Sequence, residues 1–185
     1  MIKDVLSEAE SKMDKSVEAT REEFAAIRAG RANPSMFSKL TADYYGTPTP
    51  IQQLASFTAP EARVILISPY DMGAMGAIEK AIRDSDLGVN PANDGKVLRV
   101  VLPELTEERR KEFIKLAKAK AEDGRVSVRN IRRHAKQHLE KLEKDGEVGK
   151  DDVTGAEKRL DGLTRKHIDA IDEMLKHKEA ELLEV

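Results

Sequence analysis

Apolar or small side chains recur at Leu6, Ala9, Met13, Val17, Thr20, Phe24 and Ile27, close to a heptad, in a stretch from residue 2 to 29 without glycine or proline. That spacing gathers them on one face of a long helix and leaves the charged residues on the other. Gly30 ends the pattern, and Pro34 keeps it from resuming. A second periodic stretch opens after Pro103. Thr106 is its candidate N-cap, Glu107 and Glu108 suit the positive end of the helix dipole, and Arg109 stands where a capping box would place Glu. Its core reads Ala117, Ala121, Gly124, Val128, Ile131, Ala135, His138 and Leu142, in steps of four and three, over about ten turns. Asp145-Gly146 and Gly149 punctuate it, and Val153, Ala156, Leu160, Leu163, His167, Ile171, Met174 and Leu182 mark a third helix.

Residues 31 to 104 follow a different pattern, with short apolar runs between Gly and Pro. Leu40–Tyr45, Ile51–Phe57, Val64–Ser68 and Val97–Leu102 read as strands, and Met72–Asp84, with Ala74, Ile78, Ala81 and Ile82 on one side, as a short helix. Long amphipathic helices with small core residues bury their stripes against one another. The expected fold is therefore α+β and L-shaped: an antiparallel three-helix bundle with an inserted small β/α/β domain. The bundle takes residues 1–30 with 105–185, and the insertion takes 31–104. Both connections, Ala29-Gly30-Arg31 and Pro103-Glu104-Leu105, fall at one end of the bundle and form a two-stranded hinge.

Composition sharpens this picture. Aromatic residues are 4% of the chain and tryptophan is absent, so the cores must be aliphatic, while the 36% of charged residues suits long exposed helices. The net charge of −2 argues against a polyanion partner until it is split by segment. Residues 105–144 carry 13 basic and 7 acidic side chains, a balance of +6, whereas residues 145–185 carry 7 and 12, a balance of −5. At helical steps Lys111, Lys115, Lys118, Glu122, Arg125, Arg129, Arg132 and Lys136 form one stripe, roughly 38 Å long at about 1.5 Å per residue. Such an edge either pairs with the acidic third helix or meets a row of phosphates. Arg125, Arg129, Arg132 and Arg133, four arginines in nine residues, favour phosphate, which the planar guanidinium holds by two bonds.

Other chemistry has no address in the chain. Cysteine is absent, which removes disulfides and thiolate sites. His134 and His138 stand one helical turn apart without a third ligand, and His138 falls at a core position, so no metal site is expected. Asn90–Gly95 starts like a calcium loop, but Val101 stands where the bidentate Glu belongs, leaving a turn before a strand. No phosphate-loop, dinucleotide, nucleophile-elbow or zinc-protease motif occurs. Tyr44-Tyr45-Gly46 reads as a strand end packing on its module more readily than as a base-stacking platform. No apolar run has membrane-spanning length, and the charged first residues do not form a secretory leader, so the cytoplasm is the expected location.

Five blocks carry a resemblance across essentially the whole chain. They are Ile27–Pro34 (IRAGRANP), Asp43–Ala55 (DYYGTPTPIQQLA), Ser85–Pro91 (SDLGVNP), Leu105–Lys111 (LTEERRK) and Val128–Arg133 (VRNIRR). In order and spacing they resemble the motifs of the ribosome recycling factor family. The resemblance implies a non-enzymatic, cofactor-free monomer that binds the post-termination ribosome. Acting with elongation factor G and its GTP hydrolysis, such a factor splits the ribosome into subunits and releases mRNA and tRNA. It implies contact with large-subunit rRNA through Arg129, Arg132 and Arg133. With Arg125, Lys136 and Arg110, these complete the candidate rRNA-binding set. His134 departs from the Asp frequent in the family. A helical coiled-coil adaptor without a nucleic-acid role is the alternative.

Overall fold

A long helix is held by burying one apolar face, and the first helix has such a face. The computed structural model describes residues 1–27 and 30–184, so the candidate hinge residue Ala29 lies outside the described residues. Helix α1 runs Ile2–Ala25 and buries Val5, Leu6, Ala9, Met13, Val17, Thr20 and Phe24, the anticipated stripe plus Val5. It stops short of Gly30, with Ile27 buried beyond its end. The module between the helices carries α2, Met75–Arg83, led in by a tighter turn over Met72–Ala74. Helix α3 spans Glu107–Lys144 and starts as its cap requires, with the Thr106 hydroxyl accepting the Arg109 backbone N–H at 3.1 Å. At its other end, Gly146 adopts a φ of 74°. The Glu147 N–H then reaches the Leu142 carbonyl and the Gly146 N–H that of Glu143, each at 3.0 Å, satisfying carbonyls the helix leaves open. Helix α4 then runs Lys150–Leu183.

The chain divides into two compact units. One joins Met1–Arg21 to Leu116–Lys178, and the other joins Glu22–Lys115 to the C-terminal segment from Glu179, so the division crosses the long helices. In the first, α1 and α4 run parallel and α3 antiparallel to both. Side-chain contacts fix this arrangement: Ser16 with Ser127, Arg125 with Asp172 and Arg132 with Asp161. Gly124 sits where α3 packs against α1 and α4. A Cβ there would overlap the Thr20 hydroxyl and lie 3.1 Å from Ile171 Cδ1. A buried imidazole joins α4 to α1: Nδ1 of His167 lies 2.6 Å from the Leu163 carbonyl, and Nε2 lies 2.6 Å from the Asp14 carboxylate.

One core position of α3 needs correction. His138 is exposed along with His134, Ile131 is only half-buried, and Leu139 fills the core between Ala135 and Leu142. Steps of four then three from Ala135 reach Leu139 and Leu142, and the aliphatic residue goes inward because burying it removes more apolar surface from water. On α4, Thr164 and Lys178 are buried beyond the anticipated stripe, with the Thr164 hydroxyl donating to the Leu160 carbonyl at 2.8 Å.

The second unit holds two antiparallel sheets. Strands β1 (Thr41–Tyr44) and β2 (Thr47–Pro50) pair as a hairpin. Strands β3 (Ala55–Glu61), β4 (Val64–Pro69), β5 (Pro91–Asn93) and β6 (Leu98–Val101) form a sheet in the order β3-β4-β6-β5. Phe37, Ile65, Ile67, Ile78, Ile82, Leu98 and Leu102 fill the core beneath α2. Ile51–Gln53 is a tight helical turn rather than the start of a strand, and β3 continues past Pro60 with an irregular register between Thr58 and Glu61. Pro60 is tolerated because β3 is an edge strand, where one missing N–H breaks no ladder on its open side.

The turn from β5 into β6 is held by side chains. Asn93 accepts the Gly95 N–H at 2.7 Å, and Asp94 accepts those of Lys96 at 2.9 Å and Val97 at 2.8 Å. Hydrogen bonds from Val97 and Lys96 hold the Asp94 carboxyl below its ordinary value. Its stabilisation is present above the unfolded value of about 3.9 and is lost as pH falls through the lower folded value. Asp94→Asn keeps an acceptor oxygen but does not titrate. The stability gap between wild type and variant should therefore shrink between about pH 6 and about pH 3 in urea unfolding. A gap of equal size at both pH values would contradict this.

Candidate nucleic-acid interface

Helix α3 carries Arg125, Arg129, Arg132, Arg133 and Lys136 in the first unit, and the structure sorts them by partner. Arg125 is only 19% exposed at its side chain and lies between Asp172 at 2.7 Å and Glu122 at 3.0 Å. Burial disfavours its charge, but the hydrogen bonds to Asp172 and Glu122 outweigh that and raise its pKa. Glu122 also receives Arg129 at 3.2 Å, and bonding from Arg125 foremost holds its carboxyl below the ordinary range. Arg132 donates from Nε to Asp161 on α4 at 2.7 Å. Arg133 is exposed and Lys136 half-buried, and among the described residues neither has an ion-pair partner.

The stripe therefore divides by partner. Arg125 and Arg132 bind the acidic helix, whereas Arg133 and Lys136 are free, and Arg129 holds only Glu122 of its own helix. Arg110 is not brought to this group. It lies half-buried in the second unit, where its Nε is shielded from solvent without a hydrogen-bond partner. Asp161 and Asp172 are the members that the sequence pattern does not single out. Eleven residues apart on α4, against seven between Arg132 and Arg125, they betray their role only through the antiparallel pairing of the helices.

The candidate hinge residues lie in the second unit. Gly30 and Arg31 form a bend, and Pro103, Glu104 and Leu105 are irregular chain leading to Thr106. The residues beside them are tied down at one place. The Ala32 N–H donates to Ala62 at 2.6 Å and the Leu102 N–H to Arg63 at 2.7 Å, so both connections grip the turn between β3 and β4. The Arg63 guanidinium also lies 3.8 Å from Glu104.

Two further clusters stand apart from the arginines. Val5, Glu8, Ala9, Lys12, Ile131, His134, Ala135 and His138 line a shallow groove between α1 and α3. Among the described residues no three His, Asp or Glu side chains converge as metal ligands. At the hairpin, Tyr44 is half-buried against the module core, whereas Tyr45 is 82% exposed with a φ of 50°. Asp71 accepts both phenols, from Tyr44 at 2.8 Å and Tyr45 at 3.3 Å. The bond from Tyr44, then that from the Gly73 N–H, keeps its carboxyl below the usual range, and the bond to Asp71 foremost raises the Tyr44 phenol. Among the described residues, no helix is long and apolar enough to cross a membrane.

A helical-bundle unit and a unit built on antiparallel sheets, with a row of guanidinium groups along α3, define a protein of the α+β class. The ribosome recycling factor family matches over residues 20–183, and the chain belongs to that family. It is a translation factor of ribosome recycling. The chain is 80% identical to the ribosome-recycling factor of Nocardioides sp. and 67% identical to that of Acidothermus cellulolyticus, in both cases over 100% of each chain. The solution structure of a ribosome recycling factor superposes with a TM-score of 0.80 at 42% identity, covering 100% of this chain and 98% of that one. The T. thermophilus ribosome recycling factor, bound with E. coli elongation factor G to the E. coli post-termination complex, matches with a TM-score of 0.70 at 42% identity over 100% of both chains.

Proposed function

We propose that the chain docks on the post-termination ribosome with the α3 edge against large-subunit rRNA. With elongation factor G and GTP hydrolysis it then separates the subunits and frees mRNA and tRNA. The observation carrying this reading is the set of uncommitted cations on α3: among the described residues Arg133 and Lys136 have no carboxylate to answer, and Arg129 has only an exposed one on its own helix. Each released counterion strengthens such a contact and makes it salt-sensitive. Elongation factor G supplies the nucleotide chemistry, and this chain contributes binding and a stiff lever, with no enzymatic step, metal or cofactor of its own. The cytoplasm, where ribosomes are, is its place of action.

In this reading residues 1–30 and 105–185 are the rRNA-binding bundle, and residues 31–104 are a module moved by the GTPase. Ala29, Gly30, Arg31, Pro103, Glu104 and Leu105 form the swivel, and the shared anchorage of both connections on Ala62 and Arg63 supports it. A monomer is favoured over a coiled-coil adaptor because most of the apolar stripe of each long helix is buried within the chain. The test is light scattering of purified post-termination ribosomes. Adding the chain with elongation factor G and GTP should lower the signal as subunits part, and omitting the chain should abolish the drop. An unchanged signal with all components present would refute the reading.

A further inference from the structure

The acidic balance of residues 145–185 hides a local reversal on α4. Between positions 155 and 166 stand four cations, Lys158, Arg159, Arg165 and Lys166, against two carboxylates, Glu157 and Asp161. All four cations are exposed, and among the described residues none has an ion-pair partner. Asp161 is already committed to Arg132 at 2.7 Å. Helical spacing puts Lys158 and Arg165 beside Asp161 and carries Arg159 and Lys166 farther round, so the patch begins where the α3 edge ends. Between the two rows lie Gly155 and Gly162, both exposed, where a Cβ would meet nothing within 4 Å. Packing within the chain gives no reason for glycine there, and glycine is a poorer helix former than alanine. The result is bare helix backbone flanked by cations, against which a sugar-phosphate chain can lie close while the side chains reach its phosphates.

We propose that the outer face of α4 from Gly155 to Lys166 is a second RNA-backbone contact, continuous with the α3 edge across the Arg132–Asp161 pair. It rests on the reading of that edge as rRNA-facing. RNA fits better than an anionic bilayer because this face presents no exposed large apolar side chain to enter a headgroup layer.

Two full-length variants test the proposal against purified 50S subunits over a range of salt. In one, Lys158, Arg159, Arg165 and Lys166 are all changed to Gln. It should bind about tenfold more weakly, with a log–log salt slope flatter by about 0.7 to 0.9 for each phosphate no longer neutralised. In the other, Gly155→Ala with Gly162→Ala should melt at a higher temperature yet bind more weakly, a combination that a purely structural role for the glycines does not produce. Unchanged affinity and slope in the charge variant overturn the proposal. So does full 50S affinity accompanied by abolished binding to phosphatidylglycerol vesicles, which would assign the face to a membrane. Arg133→Ala separates the two levels. If it weakens binding while the charge variant does not, only the α4 contact fails, and if neither matters, the α3 reading fails as well.

Discussion

Gly124→Ala is expected to destabilise the bundle by about 1 to 3 kcal/mol, the range for forcing a methyl into a packed core. At an exposed helical position the same change would stabilise by about 1 kcal/mol, so here sterics must reverse the sign of helix propensity. The new Cβ would collide with the Thr20 hydroxyl and press on Ile171 Cδ1 at 3.1 Å. The hydroxyl has little freedom to move, since it donates to the Ser16 carbonyl at 2.9 Å, and Ser16 itself bonds Ser127 at 2.7 Å across the helix pair. Urea unfolding of Gly124→Ala, Thr20→Ala and the double variant measures this directly. The double variant should be more stable than the sum of the two single effects, because Thr20→Ala removes the hydroxyl that the new methyl strikes. Strict additivity would show that α1 and α3 part freely at this crossing.

The second large effect falls on binding. Arg133→Ala should weaken association with 50S subunits by about tenfold and flatten the salt dependence by about 0.7 to 0.9 in slope, with unfolding unchanged. The free energy of that side chain is available to a partner because it holds no carboxylate of its own. Arg132→Ala should lose affinity too, but with an added cost to the fold of at most about 1 kcal/mol, since Asp161 then loses its exposed partner. Equilibrium binding at several salt concentrations, beside thermal melts, separates the two arginines. Full affinity in Arg133→Ala would remove the α3 edge from the ribosomal interface.

The long helices were legible because their signals are local and repeated: a stripe every three to four residues, Thr106 before α3 and Gly146 after it. His138 misled because a heptad template accepts either a step of three or one of four after Ala135, and only the competing side chain, Leu139, decides. β2 and β5 escaped notice because four residues with two prolines, and three opening on Pro91, carry no alternation to detect. Their identity as strands comes from neighbours across the sheet. The arginines were legible as a group but not individually. Which of them is free depends on the pairing of α3 with α4, where seven residues on one helix answer eleven on the other, and no one-dimensional pattern states that offset.

Small side chains line much of the bundle, with Ala117 and Ala121 on α3 and Ala156 on α4, and contacts among such side chains specify an axial offset only weakly. The His167–Asp14 bond takes a different part. A slip of α4 by one turn, about 5.4 Å, would strand a buried imidazole away from its carboxylate, at a cost of about 1 to 3 kcal/mol for the unanswered polar group. Like a single polar residue in a coiled-coil seam, the pair selects one axial offset among several that the apolar contacts would accept. With Ser16 and Ser127 holding α1 to α3, that offset also bears on where Asp161 and Asp172 fall along α3, and so on which arginines are left uncommitted.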